Sequence, residues 1–296
     1  MKKELCTYNP DKEKIILRER KSPFVKLFNK TPQEVLCPHF YELILSNGCP
    51  FNCSYCYLQL TFRGQTQPTL FCNPWSTVQR ELDSLSSGIF STGELADSLA
   101  IIPPLLEPAL EYFLKQSKKY LLLLTKSTNI ELLLDRHPNP QVIVSFSVNA
   151  SQISEKFEKG APNPDCRLKA ARELKKIGWR VRIRLDPIIL ENGLGVYEDI
   201  CRRIADLEPE LVTIGTLRQY PGLYRFARSA PRKGLHRADD GRMRYSFSAR
   251  SKTYKQIQEW LGFQPTLCKE TKDMWKALGW HFQGCNCSNG LFGQKD

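Results

Sequence analysis

Between residues 41 and 216, short apolar runs alternate with segments whose apolar positions recur every three to four residues. YELILS (41–46), GIFS (88–91), YLLLLT (120–125), VIVSFS (142–147), RVRIRL (180–185) and LVTIG (211–215) are too short for helices and read as strands. STVQRELDSLSS (76–87), PALEYFLKQSKK (108–119), TNIELLLD (128–135), CRLKAARELKKIG (166–178) and YEDICRRIADL (197–207) carry the helical period. Six strands alternating with helices predict a parallel sheet with right-handed crossovers. The even spacing favours an α/β fold of the partial barrel type, with six strands, over a doubly wound sheet. The rhythm breaks after residue 216. The chain thus divides into an N-terminal extension (1–40), a barrel (41–216) and a C-terminal extension (217–296) expected to pack by itself.

Composition adds location and charge. No apolar run follows the charged start MKKELCTY, and the longest one, LAIIPPLL at 99–106, is broken by two prolines. A cytoplasmic protein with no membrane span is expected, and its 11 cysteines should be reduced. The net charge of +12 is uneven. Lys and Arg outnumber Asp and Glu by 9 to 5 over residues 1–40 and by 15 to 6 over 217–296, whereas the barrel is nearly neutral at 19 to 20. A neutral core with basic ends suits a polyanionic partner, or a solvated basic surface with none.

Cys49, Cys53 and Cys56 stand in SNGCPFNCSYCYLQ, directly after the first strand. In a parallel barrel that loop lies at the carboxyl end of the strands, where such folds place their chemistry. Structural zinc takes four protein ligands, so a zinc reading needs a fourth cysteine from elsewhere. Three clustered thiolates suit a 4Fe–4S cluster that leaves one iron open.

The Cys-x3-Cys-x2-Cys loop, with Tyr55 just before its third cysteine, resembles the radical S-adenosylmethionine superfamily. Residues 37–260 resemble more narrowly the spore photoproduct lyase family and its wider relatives. That resemblance implies reductive cleavage of S-adenosylmethionine at the cluster, giving a 5′-deoxyadenosyl radical, with the electron supplied by a donor such as flavodoxin or ferredoxin. It implies that Tyr55, Glu94 of STGEL, Lys126 of LLTKS, and Ser147 and Asn149 of FSVN contact S-adenosylmethionine. Taken from the residues alone, Lys126 reads equally as a solvated strand-end lysine, Ser147 and Asn149 as turn residues, and Glu94 as a helix N-terminal acid. One departure stands out. The family's lyases carry a hydrogen-donor cysteine in the second-strand loop, and GIFSTGELADSL (88–99) has none. The resemblance therefore implies a lyase-like relative of unknown substrate, with Tyr55 and Tyr57 as hydrogen relays.

The tail holds two further constellations. RSAPRKGLHRADDGRMRYSFSARSKTYK (228–255) carries nine Lys and Arg with interleaved aromatics. Arg242, Arg244, Tyr245 and Lys252 are its candidate nucleic-acid contacts, through phosphate pairing and base stacking. GRMRYSF also loosely matches a DNA-contacting hairpin of the family. A solvated strand pair with its aromatics in the core reads as well from the sequence. Cys268, Cys285 and Cys287, with Cys37 as fourth member, could form a second iron–sulfur cluster, a zinc site, or unliganded thiols. Cys6, Cys72, Cys166 and Cys201 show no site spacing, and His39 and His281 read as core histidines or as ligands. Three functions follow: a radical enzyme for repair or modification of a DNA or RNA base; the same enzyme on a peptide or small metabolite; or a non-enzymatic metal-binding nucleic-acid module.

Overall fold

The six expected strands form, and they hydrogen-bond side by side in chain order. In the computed structural model, which describes residues 15–29 and 31–288, they are β1 (Phe40–Leu43), β2 (Gly88–Ser91), β3 (Lys119–Thr125), β4 (Val142–Ser147), β5 (Arg180–Ile188) and β6 (Leu211–Thr216). Every neighbouring pair among them is parallel. The strand expected over 41–46 stops at Leu43, because Ser46 and Asn47 turn away to pair with Thr69 and Leu70. The sheet also grows at both edges. Val25–Phe28 adds antiparallel to β1, and β7 (Thr266–Leu267) adds parallel to β6. No helix of the described residues is long and apolar enough to cross a membrane.

Strand alternation gives the sheet two buried faces. On β3, Leu121 and Leu123 join the large core, whereas Tyr120 and Leu122 pack on the other face with Cys285 and Cys287. On β5, Val181, Ile183 and Leu185 enter the large core, so Arg182, Arg184 and Asp186 share the opposite, inner face. The segment following Trp280 covers that inner face. Arg182, nearly fully buried, donates from Nη1 to the carbonyls of Asn286 and Ser288 at 2.8 Å each. Ser145 Oγ donates to Asn286 Oδ1 at 2.6 Å.

The helix Pro164–Ile177 shows how local sequence sets position. Asn163 Oδ1 accepts from the Cys166 N–H at 2.9 Å, Pro164 opens the first turn, and Gly178 closes the helix. Its Arg167 points inward and is fully buried. The turn Ser151–Phe157, which no periodic signal announces, is a further helix after β4.

The tail does not pack by itself, which corrects that expectation. Helix Phe247–Leu261 lies against helix Glu198–Leu207, and the Tyr254 hydroxyl sits 3.2 Å from the Thr216 N–H and donates to Glu270 at 2.7 Å. Glu270–Thr271 then pairs antiparallel with Val35–Leu36. Within the described residues this pairing joins the two extensions to each other.

Candidate active site

Parallel strands send all their carboxyl ends to one side, so the loops after β1, β2, β3, β5 and β6 gather there. The cysteine loop is pinned to its neighbours by backbone bonds. The Gly48 N–H donates to Leu95 O at 2.8 Å and the Cys49 N–H to Thr66 O at 2.9 Å. Gly48 has φ +78, and a Cβ there would meet the Gln67 carbonyl oxygen at 2.4 Å, so no other residue fits. Asn52–Cys53 pairs antiparallel with Glu158–Lys159.

Cys49, Cys53, Tyr55 and Tyr57 line a cavity of about 240 Å³. Cys56 packs beside Cys49 and Cys53 in a small apolar cluster. Burial pushes the Cys53 thiol up to about 12. Among the described residues no three Cys, His, Asp or Glu side chains converge on a single ion.

Three of the expected cofactor contacts face these thiols across the cavity. Lys126 Nζ donates to Ser147 Oγ at 3.0 Å and lies 5.8 Å from the Tyr55 ring centroid. Glu94 lines the same space, and its backbone carbonyl accepts from the Tyr57 hydroxyl. Asp97 braces the arrangement. It accepts from the Lys126 N–H at 2.6 Å, the Thr125 hydroxyl at 2.6 Å and the Ala100 N–H at 2.9 Å, tying the β2 loop to the end of β3.

Asn149 corrects its expectation. It is fully buried, outside the cavity wall, and donates to Pro187 O at 3.0 Å. The chain leaves β4 after Ser147, so strand alternation no longer places residue 149 beside it. Asn149 instead belongs to a support beneath the loop. Glu158 accepts from the Tyr55 hydroxyl, from Ser154 Oγ at 2.9 Å, and from Arg167 Nη1 at 2.6 Å. Burial alone would raise the Glu158 carboxyl, but Arg167 and Lys126 outweigh it and hold the group at about 2.

The far wall is cationic and was missed in the sequence. Arg184, Asp186, Arg218, Arg242 and Lys269 line it. Asp186 bridges Arg184 at 2.7 Å and Arg218 at 2.8 Å. Burial opposes its charge, yet the two guanidiniums keep its carboxyl well below the usual range. A Cβ at Gly215 would meet Arg218 Nη1 at 2.7 Å and Asp186 Oδ1 at 2.8 Å, so a side chain there would displace this pair. The available signal was Arg184 and Asp186 at the carboxyl end of a predicted strand.

The expected nucleic-acid residues separate. Arg242 lines the cavity, 5.3 Å from the Tyr220 ring centroid. Arg244 is 3% exposed and paired with Glu270 at 3.0 Å, and Tyr245 is 5% exposed with its hydroxyl accepting from the Leu190 N–H at 2.9 Å. Neither is available to phosphate or base, a correction: Arg244, at the end of the short strand Met243–Arg244, and Tyr245, just after it, both turn their side chains into the packed interior. Lys252 is exposed on helix Phe247–Leu261, away from the cavity. The segment that follows the cavity-lining Tyr220 and Leu223 carries exposed Arg225, Arg228, Arg232, Lys233 and Arg237, with exposed Phe226 among them. Cys72, His39 and His281 are exposed, Cys166 and Cys201 are buried on helices, and Cys6 lies outside the described residues.

A family model described as spore photoproduct lyase matches residues 38–232. The chain belongs to the spore photoproduct lyase family. The curated spore photoproduct lyase of Geobacillus sp. (strain Y412MC61) is 25% identical over 71% of this chain, and the match spans 64% of that protein. The Bacillus subtilis (strain 168) spore photoproduct lyase is 27% identical over 52% of this chain and 47% of its own length. Among solved structures, a spore photoproduct lyase double mutant with bound AdoMet and dinucleoside spore photoproduct superposes with TM-score 0.69 at 20% identity, covering 86% of this chain and 80% of that one. That likeness concerns the fold. In this chain β2 is followed by Thr92, Gly93 and Glu94, with no cysteine there.

Proposed function

We propose that this protein is a radical S-adenosylmethionine enzyme that repairs or modifies a base in nucleic acid. One observation carries the reading: Cys49 and Cys53, with Cys56 packed beside them, face the Lys126–Ser147–Glu94 group across a single cavity whose remaining wall is cationic. The donor set fits the cofactors. Cys49, Cys53 and Cys56 would hold a 4Fe–4S cluster with one iron left without a protein ligand. Bound together, the cluster and S-adenosylmethionine supply one-electron reductive cleavage and hydrogen-atom abstraction, given a low-potential donor such as flavodoxin or ferredoxin.

The chain's own residues bind, orient and shield. The Lys126 ammonium is placed for a carboxylate, and Glu94 can accept from an ammonium. Tyr57, Leu60 and Leu223 add apolar surface to the cavity lining, which would shield a radical from water. Tyr55 and Tyr57 are both candidate hydrogen relays, the first donating to Glu158 and the second to the Glu94 carbonyl, so either relay requires that bond to be exchanged. Arg184, Arg218, Arg242 and Lys269 offer four cations to a phosphate-bearing substrate, and family membership points to damaged DNA as its source. The test is anaerobic reconstitution with iron and sulfide, then incubation with S-adenosylmethionine, dithionite and ultraviolet-irradiated DNA. Formation of 5′-deoxyadenosine and loss of a lesion are expected. Turnover on peptides alone would favour the metabolite or peptide reading.

Two outcomes follow at individual residues. Lys126→Ala should weaken S-adenosylmethionine binding by about 1.5–3 kcal/mol, the range for a hydrogen bond to a charged group, with the cluster spectrum unchanged. Isothermal titration of the reconstituted protein checks this, and an unaltered dissociation constant would remove Lys126 from the pocket. Nucleic-acid affinity should fall steeply with salt, by about 0.9 log units per log unit of salt for each phosphate contact on duplex DNA. Replacing Arg225, Arg228 and Arg237 together with Ala should flatten that slope by about two to three units, whereas Lys252→Ala should leave it nearly intact. Equal slopes in both variants would place the DNA elsewhere.

A further inference from the structure

Four cysteines from three distant parts of the chain meet on the inner face of the barrel. Cys37 follows the Val35–Leu36 strand, which pairs with Glu270–Thr271 just after Cys268. Cys285 and Cys287 lie on the closing loop held by Arg182. Their side chains hydrogen-bond to each other, and Cys285 interacts electrostatically with both Cys268 and Cys37. The activity proposed above uses none of these thiols.

The surroundings are arranged for sulfur. Arg184 and Arg218 each donate from Nη2 to Cys268 Sγ at 3.1 Å. Lys269 follows directly with φ +50, a left-handed conformation that is costly for a non-glycine residue and concentrates at functional sites. Asn286, between the two loop cysteines, is 1% exposed, and its Nδ2 finds no acceptor among the described residues. A buried donor left unpaired in this way is expensive unless an acceptor is supplied. All four cysteines are buried or half-buried, and three cationic side chains stand beside them.

We propose that Cys37, Cys268, Cys285 and Cys287 hold a second iron–sulfur cluster, inside the barrel and behind the cationic wall of the cavity. Four thiolates are the ligand set of such clusters, and N–H donors to their sulfurs stabilise them. The arginines and Lys269 offset the charge, and the cluster sulfides offer Asn286 its acceptor. A single zinc ion would need four sulfurs at about 2.3 Å around one point, and the described side chains do not converge in that way. Cys268 shares Arg184 and Arg218 with the cavity wall, so the cluster would also set where those guanidiniums present themselves to substrate. The inference does not depend on the radical reading.

The test reads metal rather than turnover. The full chain carrying Cys49→Ala, Cys53→Ala and Cys56→Ala is purified and reconstituted without oxygen, and iron, sulfide and zinc are measured per chain. It should retain about two to four irons with equal sulfide, against about six to eight in the wild type. Adding Cys285→Ser and Cys287→Ser should remove the remainder. Cys37→Ser, at a half-buried position of the N-terminal segment, should shift the Mössbauer signature of that remainder in a protein whose circular dichroism is unchanged. A folded loop variant that holds no iron, or one zinc in its place, overturns the inference. So does a remainder that survives the loss of Cys285 and Cys287. Failure of the radical reading would appear separately, as absent S-adenosylmethionine cleavage in a wild type that carries both clusters.

Discussion

Replacing Cys49, Cys53 and Cys56 together with Ala is expected to abolish reductive cleavage of S-adenosylmethionine. The three thiols come from one loop that Gly48, the Cys49 N–H and the Asn52–Cys53 pairing hold against three separate parts of the barrel. Nothing else on the cavity wall could replace them as soft ligands: the remaining lining offers carboxylates, hydroxyls and cations. Loss of one thiol would leave a second iron of the proposed cluster without a protein ligand, and loss of all three would leave the loop with no thiol to hold it. The measurement is 5′-deoxyadenosine formed with excess dithionite, alongside thermal melting to show that the loop variant folds. Production within about tenfold of wild type by a folded triple variant would remove these cysteines from the chemistry and the radical reading with them.

The second large effect lies under the loop. Glu158→Gln should lower the free energy of unfolding by about 3–5 kcal/mol, the cost of breaking a buried pair from one side. Glu158 and Arg167 are both nearly fully buried, so the substitution leaves the Arg167 guanidinium charged with no counter-ion inside the protein. Replacing both together, Glu158→Leu with Arg167→Met, should cost much less, because no charge is then stranded. The pH dependence has a definite sign. The folded carboxyl is held at about 2, against an ordinary value of 4.5, so the stability it contributes is fully present above about pH 4.5. It is lost as the pH falls towards 2. Urea denaturation of the single and double variants between pH 7 and pH 3 checks both statements. A loss below about 1 kcal/mol for Glu158→Gln at pH 7 would mean that water reaches the pair.

The same support joins stability to function. Glu158 pairs with Cys53 across the short antiparallel ladder and accepts from Tyr55, so a disturbance there reaches the cluster loop within one hydrogen bond. Cluster content in Glu158→Gln is thus a sensitive reporter of how rigidly the loop is held.

Some of this was legible in the chain itself. Apolar periodicity alone located six strands and most helices, because a parallel strand buried on both faces reads as a continuous apolar run. YLLLLT and VIVSFS show this most clearly, and β2 and β4 begin and end where their runs do. The proximity of Cys49, Cys53 and Cys56 was equally legible, since three thiols so close in sequence are close in space whatever the fold. Lys126 and Ser147 were singled out only through the family resemblance; the structure shows them at the carboxyl ends of adjacent strands, 3.0 Å apart.

Tertiary structure decided what depended on residues far apart. Arg184, Asp186 and Arg218 form the cationic wall only because β5 and β6 lie side by side. A strand-end arginine looks solvated until its partner is known. Arg244 and Tyr245 looked like a nucleic-acid surface for the complementary reason: composition records charge and aromaticity but not which way each side chain faces. Cys37 and Cys268 stand 231 positions apart, and only the pairing of Val35–Leu36 with Glu270–Thr271 brings them to one place. Sequence spacing conveys proximity over a few residues, through chain stiffness. Beyond that, proximity is set by which apolar faces find each other, and that is settled in the packed core.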